Sequence, residues 1–380
     1  MLKLESLVIT VQDQDISGMV LGVTIFESIK GYIKGSFTVQ DNVNFYDTFI
    51  HTTQSPINIQ FEYLGILTSN VFYGNGVSNM RIEKLGKKYV IHFISYTAIN
   101  DQINTINEVY SGTSDKVIEK IFLQSNKGLA LLKVDTVADT KGRYIVPNIK
   151  AAAALKHVVS KAYDTNNSGF CLYQRVYDQG ATRLTSLHDM SENFFLEAEG
   201  ETFKLTQRLA GASADSDGLS SEEMVGTSSS FELREYHMNF IQKLAAGNWG
   251  SKIHQVQLDE TNLKKFEINE LTDVPVTKYK TSEQLYDNGV KSLFSLGLDP
   301  TSFAANNQKK RVYNQYLSVS NVVAVPGLGA GFTIGVDQGG SNISGSRTDT
   351  DDYIIANINH RFTMDDGKFE YAQDIGLIRE

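Results

Sequence analysis

The chain has 380 residues, of which 41% are hydrophobic, 21% charged and 10% aromatic, and its formal net charge is −9. This length predicts two to four domains, and the apolar content is enough for folded cores, which argues against intrinsic disorder. An acidic chain whose basic run is Lys309-Lys310-Arg311 is not expected to bind specific nucleic-acid sequences.

Targeting signals and cysteine usage predict a soluble protein made in the cytosol. No run of about 18 apolar residues is present, and charges interrupt the N-terminal "MLKLESLVITVQDQD" too early for a signal peptide. The single cysteine, Cys171, excludes an internal disulfide framework and a cysteine-rich zinc site. It lies in the apolar run "GFCLY", so we expect a buried small hydrophobe.

Residues 1–108 are predicted to form a domain of antiparallel strands. Apolar and polar residues alternate most clearly in "INIQFEY" (Ile57 to Tyr63), which places one face on a core and the other in water. The stretch "VSNMRIEKLGKKYVIHFISY" (Val77 to Tyr96) has the pattern of two strands joined by a Gly-containing turn.

Residues 109–228 are predicted to form an α/β domain that ends in an acidic, Gly/Ser-rich linker. Apolar residues recur at helical spacing in "TSDKVIEKIFLQ", where Thr113 or Ser114 is the expected cap. A second helix is predicted in "VPNIKAAAALKHVVSKAY" with Asn148 as its cap, and the strand-like "GFCLYQRV" and "TRLTSL" follow. The linker is assigned to Gly211–Ser230 from its composition.

Residues 229–268 and 311–380 are predicted to form a second β domain, with a partly helical insert at 269–310. The stretch "KIHQVQLDETNLKKFEIN" has the pattern of a hairpin turning near Glu260 to Asn262. The stretch "SEQLYDNGVKSLFSLG" has mostly helical character, weakened by Asn288-Gly289.

The chain ends in the strongest hairpin signal of the sequence, "IIANINHRFTMDDGKFEYAQDIGLI". Apolar residues alternate on both sides of a turn built on Asp366-Gly367. This terminal hairpin has the same form as the Val77–Tyr96 hairpin, an Asn-containing strand, a charged turn and an aromatic-rich returning strand. The similarity predicts two β domains of one type at the two ends of the chain.

No group of residues nominates a catalytic, cofactor or metal site, and we predict none. The run "GLGAGF" (Gly327 to Phe332) resembles a phosphate loop, but strand-like "TIGV" follows where such a loop must open a helix, so a glycine-bearing turn or bulge is favoured. The runs "DSDG" (Asp215 to Gly218) and "TDTDD" (Thr348 to Asp352) contain carboxylate and hydroxyl oxygens that could bind calcium. Neither run has the closing Glu of an EF-hand loop, so neither is predicted as a calcium site. The seven histidines, at positions 51, 92, 157, 188, 237, 254 and 360, show no pair at the spacing of metal ligands on a helix or strand with a third ligand nearby.

Three stretches, in this order, resemble the baseplate central hub proteins of contractile-tailed bacteriophages, typified by the T-even phages. The first is "IKGSFTVQDNVNFYDTFIHTTQSPINIQFEY" (Ile33 to Tyr63), and the second is "YIVPNIKAAAALKHVVSKAYDTNNSGFCLYQ" (Tyr144 to Gln174). The third combines "IQKLAAGNWGSKIHQVQLDETNLKKFEI" (Ile241 to Ile268), "VSNVVAVPGLGAGFTIGV" (Val319 to Val336) and the terminal hairpin. Together they span most of the chain, while 269–310 and the acidic linker are not diagnostic.

The resemblance implies an α+β multidomain chain, with two tail-tube-like antiparallel β-barrels and an α/β domain between them. The first barrel would be 1–108, and the second would be 229–268 with 311–380, completed by the terminal hairpin. In such families three subunits close a ring that adapts the sixfold tail tube to the threefold central spike. The resemblance thus implies a non-enzymatic structural hub without a cofactor, located in the virion baseplate and assembled in the host cytoplasm.

The resemblance also implies a set of partners. These are two further copies of the chain in a homotrimer, the central spike protein, the tail tube or tube-initiator protein, the tape measure protein and the baseplate wedge. Double-stranded DNA would pass through the ring without specific binding.

Two other classes of function stay open from the residues alone. A tail-associated cell-wall hydrolase needs a carboxylate pair in a cleft, and such a pair cannot be recognised from spacing along the chain. A receptor- or carbohydrate-binding module would expose an aromatic platform, for which the lone Trp249 in "GNWGS" is weak support, since barrel packing explains it as well. Mass in solution separates these classes, because a trimer favours the hub.

Overall fold

The computed structural model describes residues 3–50, 56–84, 86–198, 201–207, 225–228, 230–235, 251–256, 263–268, 292–296, 315–337 and 351–378. The first strands are β1 (Ser6–Val11), β2 (Gln14–Asp15), β3 (Val20–Ser28), β4 (Gly31–Asp41), β5 (Pro56–Tyr63), β6 (Ile66–Glu83), β7 (Gly86–Ser95), β8 (Thr105–Thr113), β9 (Leu132–Val134), β10 (Lys141–Lys150), β11 (Phe170–Gln174) and β12 (Thr182–Ser186). The later strands are β13 (Glu197–Ala198), β14 (Glu201–Thr202), β15 (Lys204–Gln207), β16 (Thr227–Ser228), β17 (Ser230–Glu235), β18 (Ser251–Val256), β19 (Leu263–Ile268), β20 (Ser292–Leu296), β21 (Gln315–Val323), β22 (Thr333–Asp337), β23 (Asp351–Asp365) and β24 (Lys368–Ile378).

The described helices are short and lie in the first half of the chain. They are α1 (Phe45–Ile50), α2 (Tyr96–Ile103), α3 (Ser114–Asn126), α4 (Ala151–Val159) and α5 (Leu187–Asn193). Single turns of 3₁₀ helix occur at Ser17–Met19 and Val176–Asp178. Within the described residues, no helix has the length and apolar character needed to cross a membrane.

A single 14-stranded sheet joins the two ends of the chain. Its main path runs β16-β15-β22-β23-β3-β4-β7-β6-β5-β1-β2, and β24 pairs with β23 and with β21, which also carries β17. The antiparallel pairing of β3 with β23, which sets Phe26 opposite Asn359, makes the connection between the N-terminal strands and the terminal hairpin. The described strands thus form one continuous sheet, and the number and closure of the predicted barrels stay predictions.

The N-terminal strands curl around a core that follows the period-two pattern of the sequence. Ile57, Ile59 and Phe61 on β5 are fully buried, and Tyr63 is 1% exposed, as the alternation predicted. The far half of the terminal hairpin enters this core, where the Phe362 and Tyr371 rings stack with centroids 4.5 Å apart. Aromatic side chains from both ends of the chain therefore share one core.

The base of the terminal hairpin packs in a different core. Ile358 and Ile375 lie there among the buried residues of β21 and β22. The base of the hairpin thus lies in this core and its tip in the first core, and its assignment to a second β domain stays a prediction. The reason is its length: each strand is long enough to cross both cores.

Backbone contacts also connect each side of the strand path to the β21–β24 branch. Leu4 N donates to Phe369 O at 2.8 Å, which links the start of the chain to β24. On the other side, Gly226 N donates to Val323 O at 2.9 Å, next to the β16 strand. The sheet is therefore curled on both sides of the hairpin, as strand twist favours.

The α/β domain has its own core between α3, α4 and the β8–β10 pair. Val117, Ile121, Leu155 and Val158 form part of it, so the two predicted helical stripes are confirmed. The α3 cap is Thr113, but α4 begins at Ala151, after the predicted cap Asn148. Asn148 instead lies at a register shift in β10 with a φ of 42°, a conformation that Asn tolerates.

Strands β18, β19 and β20 form a separate three-stranded sheet. The antiparallel β18–β19 pair agrees with the predicted hairpin, although its turn lies outside the described residues. The sequence predicts that residues 251–268 belong to the second β domain. In the described part of the chain, β18 and β19 instead pair only within the three-stranded sheet that they form with β20. Within the predicted helical insert, Ser292–Leu296 is a strand parallel to β18, so the helical interpretation of that stretch is wrong. The apolar residues Leu293, Phe294 and Leu296 do not alternate, so the strand is defined by its pairing with β18 and not by a local pattern.

Candidate functional site: a buried polar junction

Polar side chains meet at the place where the N-terminal strands, the α/β domain and the terminal hairpin touch. We call this group the polar junction; it consists of Glu27, Tyr177, His360, Tyr371 and Gln373. Glu27, His360, Tyr371 and Gln373 are all fully buried. Burying polar groups is costly unless they are hydrogen-bonded, so this set must be held by specific partners.

Glu27, on β3, accepts hydrogen bonds from two other parts of the chain. One carboxylate oxygen accepts from the backbone N–H of Val176 at 2.7 Å, and the other accepts from that of Ala330 at 2.8 Å. His360 Nε2 lies 3.5 Å from Glu27 Oε1. One carboxylate thus connects the first sheet region, the α/β domain and the β21–β22 loop.

The Tyr371 hydroxyl is the second centre of the junction. It lies 2.6 Å from His360 Nδ1 and 3.3 Å from the Tyr177 hydroxyl, and it accepts from Gln373 Nε2 at 3.0 Å. Burial raises the pKa of Tyr371 well above its usual value of 10, and burial raises that of Tyr177 to about 12. Both hydroxyls therefore stay neutral and hydrogen-bonded near physiological pH.

The β21–β22 loop, which contains the glycine-rich run, is held against the α/β domain. Arg175 is 2% exposed, donates from Nε to Ala330 O at 2.6 Å, and stacks 3.9 Å from the centroid of the Phe332 ring. Gly331 has a φ of +81°, and a Cβ there would lie 2.5 Å from the Tyr173 hydroxyl. The glycines thus permit a turn and a close approach, as the turn interpretation predicted.

A second buried carboxylate links the first sheet region to the helices. Asp101 on α2 accepts hydrogen bonds from Tyr32 on β4 and from Ser125 and Asn126 on α3. Burial raises the pKa of Asp101, in spite of these donors. The α/β domain is therefore attached to the rest of the chain at two polar points as well as by apolar packing.

These clusters position parts of the chain relative to one another. The Glu27 carboxylate, the His360 imidazole and the Tyr371 phenol are fully buried, while Tyr177 is partly exposed. The geometry fixes the relative placement of the sheet, the α/β domain and the hairpin. The junction is an internal hydrogen-bond network in which His360 Nε2 has no hydrogen-bond partner among the described residues and lies 3.5 Å from Glu27 Oε1.

The structure places the other residues considered in the sequence in unremarkable surroundings. Cys171 is fully buried, as expected, and lies in a small cluster of apolar side chains. His92 lies on β7 with Nε2 2.7 Å from the Ser78 hydroxyl, and His254 lies on β18. Among the described residues, no group of three or more His, Cys, Asp and Glu side chains could hold a metal ion.

Several candidates fall outside the described residues. They are the acidic run Asp215–Gly218, most of Thr348–Asp352, Trp249, His51, His237 and the basic run Lys309–Arg311. The last two residues of the 348–352 run, Asp351 and Asp352, begin β23.

The polar junction was not predicted from the sequence, although the alternation of two strands contains a signal for it. Glu27 follows Val23 and Ile25 on the buried face of β3, so the alternation itself assigns a carboxylate to the core. His360 stands in the same way between Ile358 and Phe362 on β23. A polar residue on the core side of an alternating strand is a recognisable mark of a buried network.

Comparison with solved structures gives matches along nearly the whole chain. The tail protein from Neisseria meningitidis MC58 has a TM-score of 0.60 at 8% identity, covering 99% of this chain and 96% of that one. The prophage MuSo2 43 kDa tail protein from Shewanella oneidensis has a TM-score of 0.59 at 11% identity, covering 98% of each chain. The E. coli c3393 protein, a type VI secretion component described as similar to T4 bacteriophage tail proteins gp27 and gp5, has a TM-score of 0.50 at 9% identity, covering 98% and 76%.

No protein-family model matches the chain, and a search of curated proteins gives no match. At these identities the structural matches show the fold alone. The chain has the mostly β fold of phage tail proteins and related secretion-system proteins.

Proposed function

We propose that the chain is the structural hub of a contractile phage tail. In this role three copies form a ring that adapts the sixfold tail tube to the threefold central spike and surrounds part of the DNA channel. The observation that carries the proposal is the fold match with two phage tail proteins, which extends over 98% or more of this chain and nearly all of theirs. It agrees with the hub resemblance of the three sequence stretches.

The polar junction supports a scaffold rather than a catalyst. A hub transmits force between tube and spike, so its parts must keep a fixed geometry. Buried, hydrogen-bonded polar groups such as the Glu27 carboxylate and the Tyr371 hydroxyl favour one relative arrangement of packed elements, because other arrangements leave them unsatisfied. The partners proposed for this scaffold are the spike protein, the tail tube or tube-initiator protein, the tape measure protein and the baseplate wedge.

The test is the oligomeric state of the purified chain. We expect light scattering to show a trimer at high protein concentration, or electron microscopy to show a ring once the spike is added. The interface is expected to exceed the roughly 1,600 Å² of a standard pairwise contact. A chain that stays monomeric under both conditions, or a monomer that clears peptidoglycan, would contradict the hub and favour the hydrolase.

A hub of a type VI secretion system is the second candidate, favoured by the match with the E. coli c3393 protein. That match has the lower TM-score and covers 76% of the other chain, whereas the tail-protein matches are reciprocal. The phage tail is therefore the preferred setting. Co-purification with tail tube or with a secretion tube protein separates the two.

A further inference from the structure

The β6–β7 hairpin carries a free strand edge. Strand β6 pairs with β5 as far as Tyr73, opposite Pro56, and then continues to Glu83 with β7 as its only partner among the described strands. At its end Ile82 is 86% exposed and Met80 is 41% exposed. We call residues 79–84 and 86–88 the basic arm, for the charges described next.

The basic arm is positively charged in a chain of net charge −9. Arg81 stands directly opposite Lys88, and Lys84 follows at the turn. Like charges directly across a strand pair repel, and among the described residues no ion pair is formed by these three cations. Lys87 is different, because its Nζ lies 3.2 Å from an Asp47 carboxylate oxygen. Three cations and an exposed isoleucine are thus left for an outside partner.

A complementary surface lies elsewhere on the same chain. Where β24 meets the start of the chain, the backbones of Lys3 and Glu370 form an isolated antiparallel β-bridge, and Glu5 N donates to Glu62 O. We call the carboxylates of this contact and of the adjoining hairpin turn the acidic seam; they are Glu5, Glu62, Asp365, Asp366 and Glu370, and they outnumber the two neighbouring cations Lys3 and Lys368. Among the described residues none of the five forms an ion pair, and Glu62 lies opposite Leu67, at the other end of β6 from the arm.

We propose that the basic arm of one subunit docks against the acidic seam of the next copy of the chain. The inference rests on the proposed function and deepens it by naming the two surfaces of the ring contact. A ring needs a head-to-tail contact between two different patches on each subunit. A basic arm and an acidic seam at separate places on one sheet supply such a pair, and opposite charges fix the register of the contact.

The chemistry of the arm favours a protein partner over a nucleic acid. Nucleic-acid affinity comes from neutralising phosphates, to which an exposed isoleucine adds nothing. Apolar side chains surrounded by charges are typical of protein interfaces instead. Ile82 and Met80 therefore point to a protein surface that offers both carboxylates and an apolar contact.

Charge reversal tests the pairing. Arg81→Glu/Lys88→Glu should raise the dissociation constant of the trimer at least tenfold, and so should Glu62→Lys/Glu370→Lys. Combining the four substitutions should restore assembly to within about threefold of the wild type, because the charges are then exchanged. The arm variant keeps a like-charged cross-strand pair, so its thermal midpoint should match that of the wild type.

The matched control is Lys120→Glu on α3 combined with Lys127→Glu at its C-cap, two exposed positions away from the arm, which changes the net charge equally and should leave assembly unchanged. A trimeric wild type whose assembly is insensitive to the arm reversal, or is not rescued by the combined variant, would overturn the inference and leave the hub intact. A wild type that never assembles would overturn both. Binding of a DNA duplex that disappears with the arm reversal would make nucleic acid the partner instead.

Thiol labelling gives an independent readout, because the only native cysteine, Cys171, is fully buried. Ile82→Cys should react with a maleimide at least ten times more slowly in the trimer than in dilute monomer. Leu129→Cys, at a side chain that is 73% exposed, should react equally fast in both states. Equal labelling of Ile82→Cys in both states would contradict arm docking.

Discussion

At the scale of single residues, Glu27 makes the most consequential contacts in the molecule. We expect Glu27→Gln to lower the free energy of unfolding by about 1.5–3 kcal/mol, the range for hydrogen bonds to charged groups. The amide keeps one acceptor, so its NH₂ group must face the N–H of Val176 or of Ala330. Chemical denaturation followed by tyrosine fluorescence measures the change.

The control for Glu27 is Glu83→Gln, the same chemical change at an exposed position on the basic arm. It should alter stability by less than about 0.5 kcal/mol. If the two variants were equally stable, Glu27 would have no special role in holding the elements together.

Gly331 and Gly327 give a second prediction at the scale of residues. Comparing them separates the cost of a left-handed backbone from the cost of a steric clash with a neighbouring side chain. Gly327 has a φ of +75° with open space around its missing Cβ, whereas Gly331 combines a φ of +81° with a contact to Tyr173. Gly327→Ala should cost roughly 1–2 kcal/mol from the left-handed backbone alone. Gly331→Ala should cost more, since Tyr173 must also move. The thermal midpoints of both variants test this order. Equal decreases in stability would show that Tyr173 can move away from the added Cβ at little energetic cost.

The residue scale also shows what a sequence can reveal about a site. Cys171 was correctly assigned to the core from its apolar neighbours, and the glycine-rich run was correctly assigned to a turn because a strand follows it. The partners of Glu27 could not be predicted, because Val176 and Ala330 lie far away along the chain and contribute backbone groups, which carry no residue signature.

At the scale of elements, the terminal hairpin links two cores, and each half can be tested. Ile358→Asp places a charge among the buried side chains of the second core and should cost roughly 4 kcal/mol or more. Phe369→Asp, at a partly buried side chain against the first core, should cost less. Thr363→Asp on the exposed face of β23 is the control. Unfolding followed by circular dichroism measures all three, and a fully stable Ile358→Asp variant would contradict the observed packing.

The short connection from β4 to α1 predicts a pH dependence. Burial alone would raise the pKa of Asp41, but the backbone N–H groups of Tyr46, Phe45 and Val43 and the Tyr89 hydroxyl hold it below the usual 3.8. Because the folded pKa lies below the unfolded one, this stabilisation is fully present above the unfolded pKa and is lost as the pH falls through the folded pKa.

The measurement is the difference in thermal midpoint between the wild type and Asp41→Asn at a series of pH values. We expect a constant difference above a pH of about 5 and a shrinking one below a pH of about 4. Asp139→Asn, at an exposed carboxylate, should show no such trend. A difference that is constant down to pH 2 would show that the Asp41 charge does not stabilise the fold.

Elements defined by local patterns were predicted well, and elements defined by distant pairing were not. The stripes of α3 and α4 and the alternation of β5 are properties of a few neighbouring residues. Strand β20 looked helical because its pairing with β18 is not encoded nearby. The pairing of β3 with β23 joins residues more than 300 positions apart, and period-two patterns cannot say which strands are neighbours.

At the scale of the whole molecule, the acidic balance of the chain and its basic arm suit different surfaces of a ring. A channel that passes double-stranded DNA should have acidic or neutral walls, because each lysine or arginine that binds a phosphate adds affinity and slows passage. The three cations of the arm, which form no ion pair within the described part of the chain, are then best placed in contacts between subunits. We therefore expect the wall of the channel to carry more Asp and Glu than Lys and Arg.

Two measurements check this last expectation. A structure of the assembled ring allows the charges facing the channel to be counted directly, and a net positive channel would contradict the prediction. In solution, the wild-type ring should show no retention of a DNA duplex at physiological ionic strength, where the electrostatic screening length is about 8 Å. Arg81→Glu/Lys88→Glu should leave this result unchanged. Retention that weakens steeply with added salt would show instead that the ring grips DNA through its phosphates.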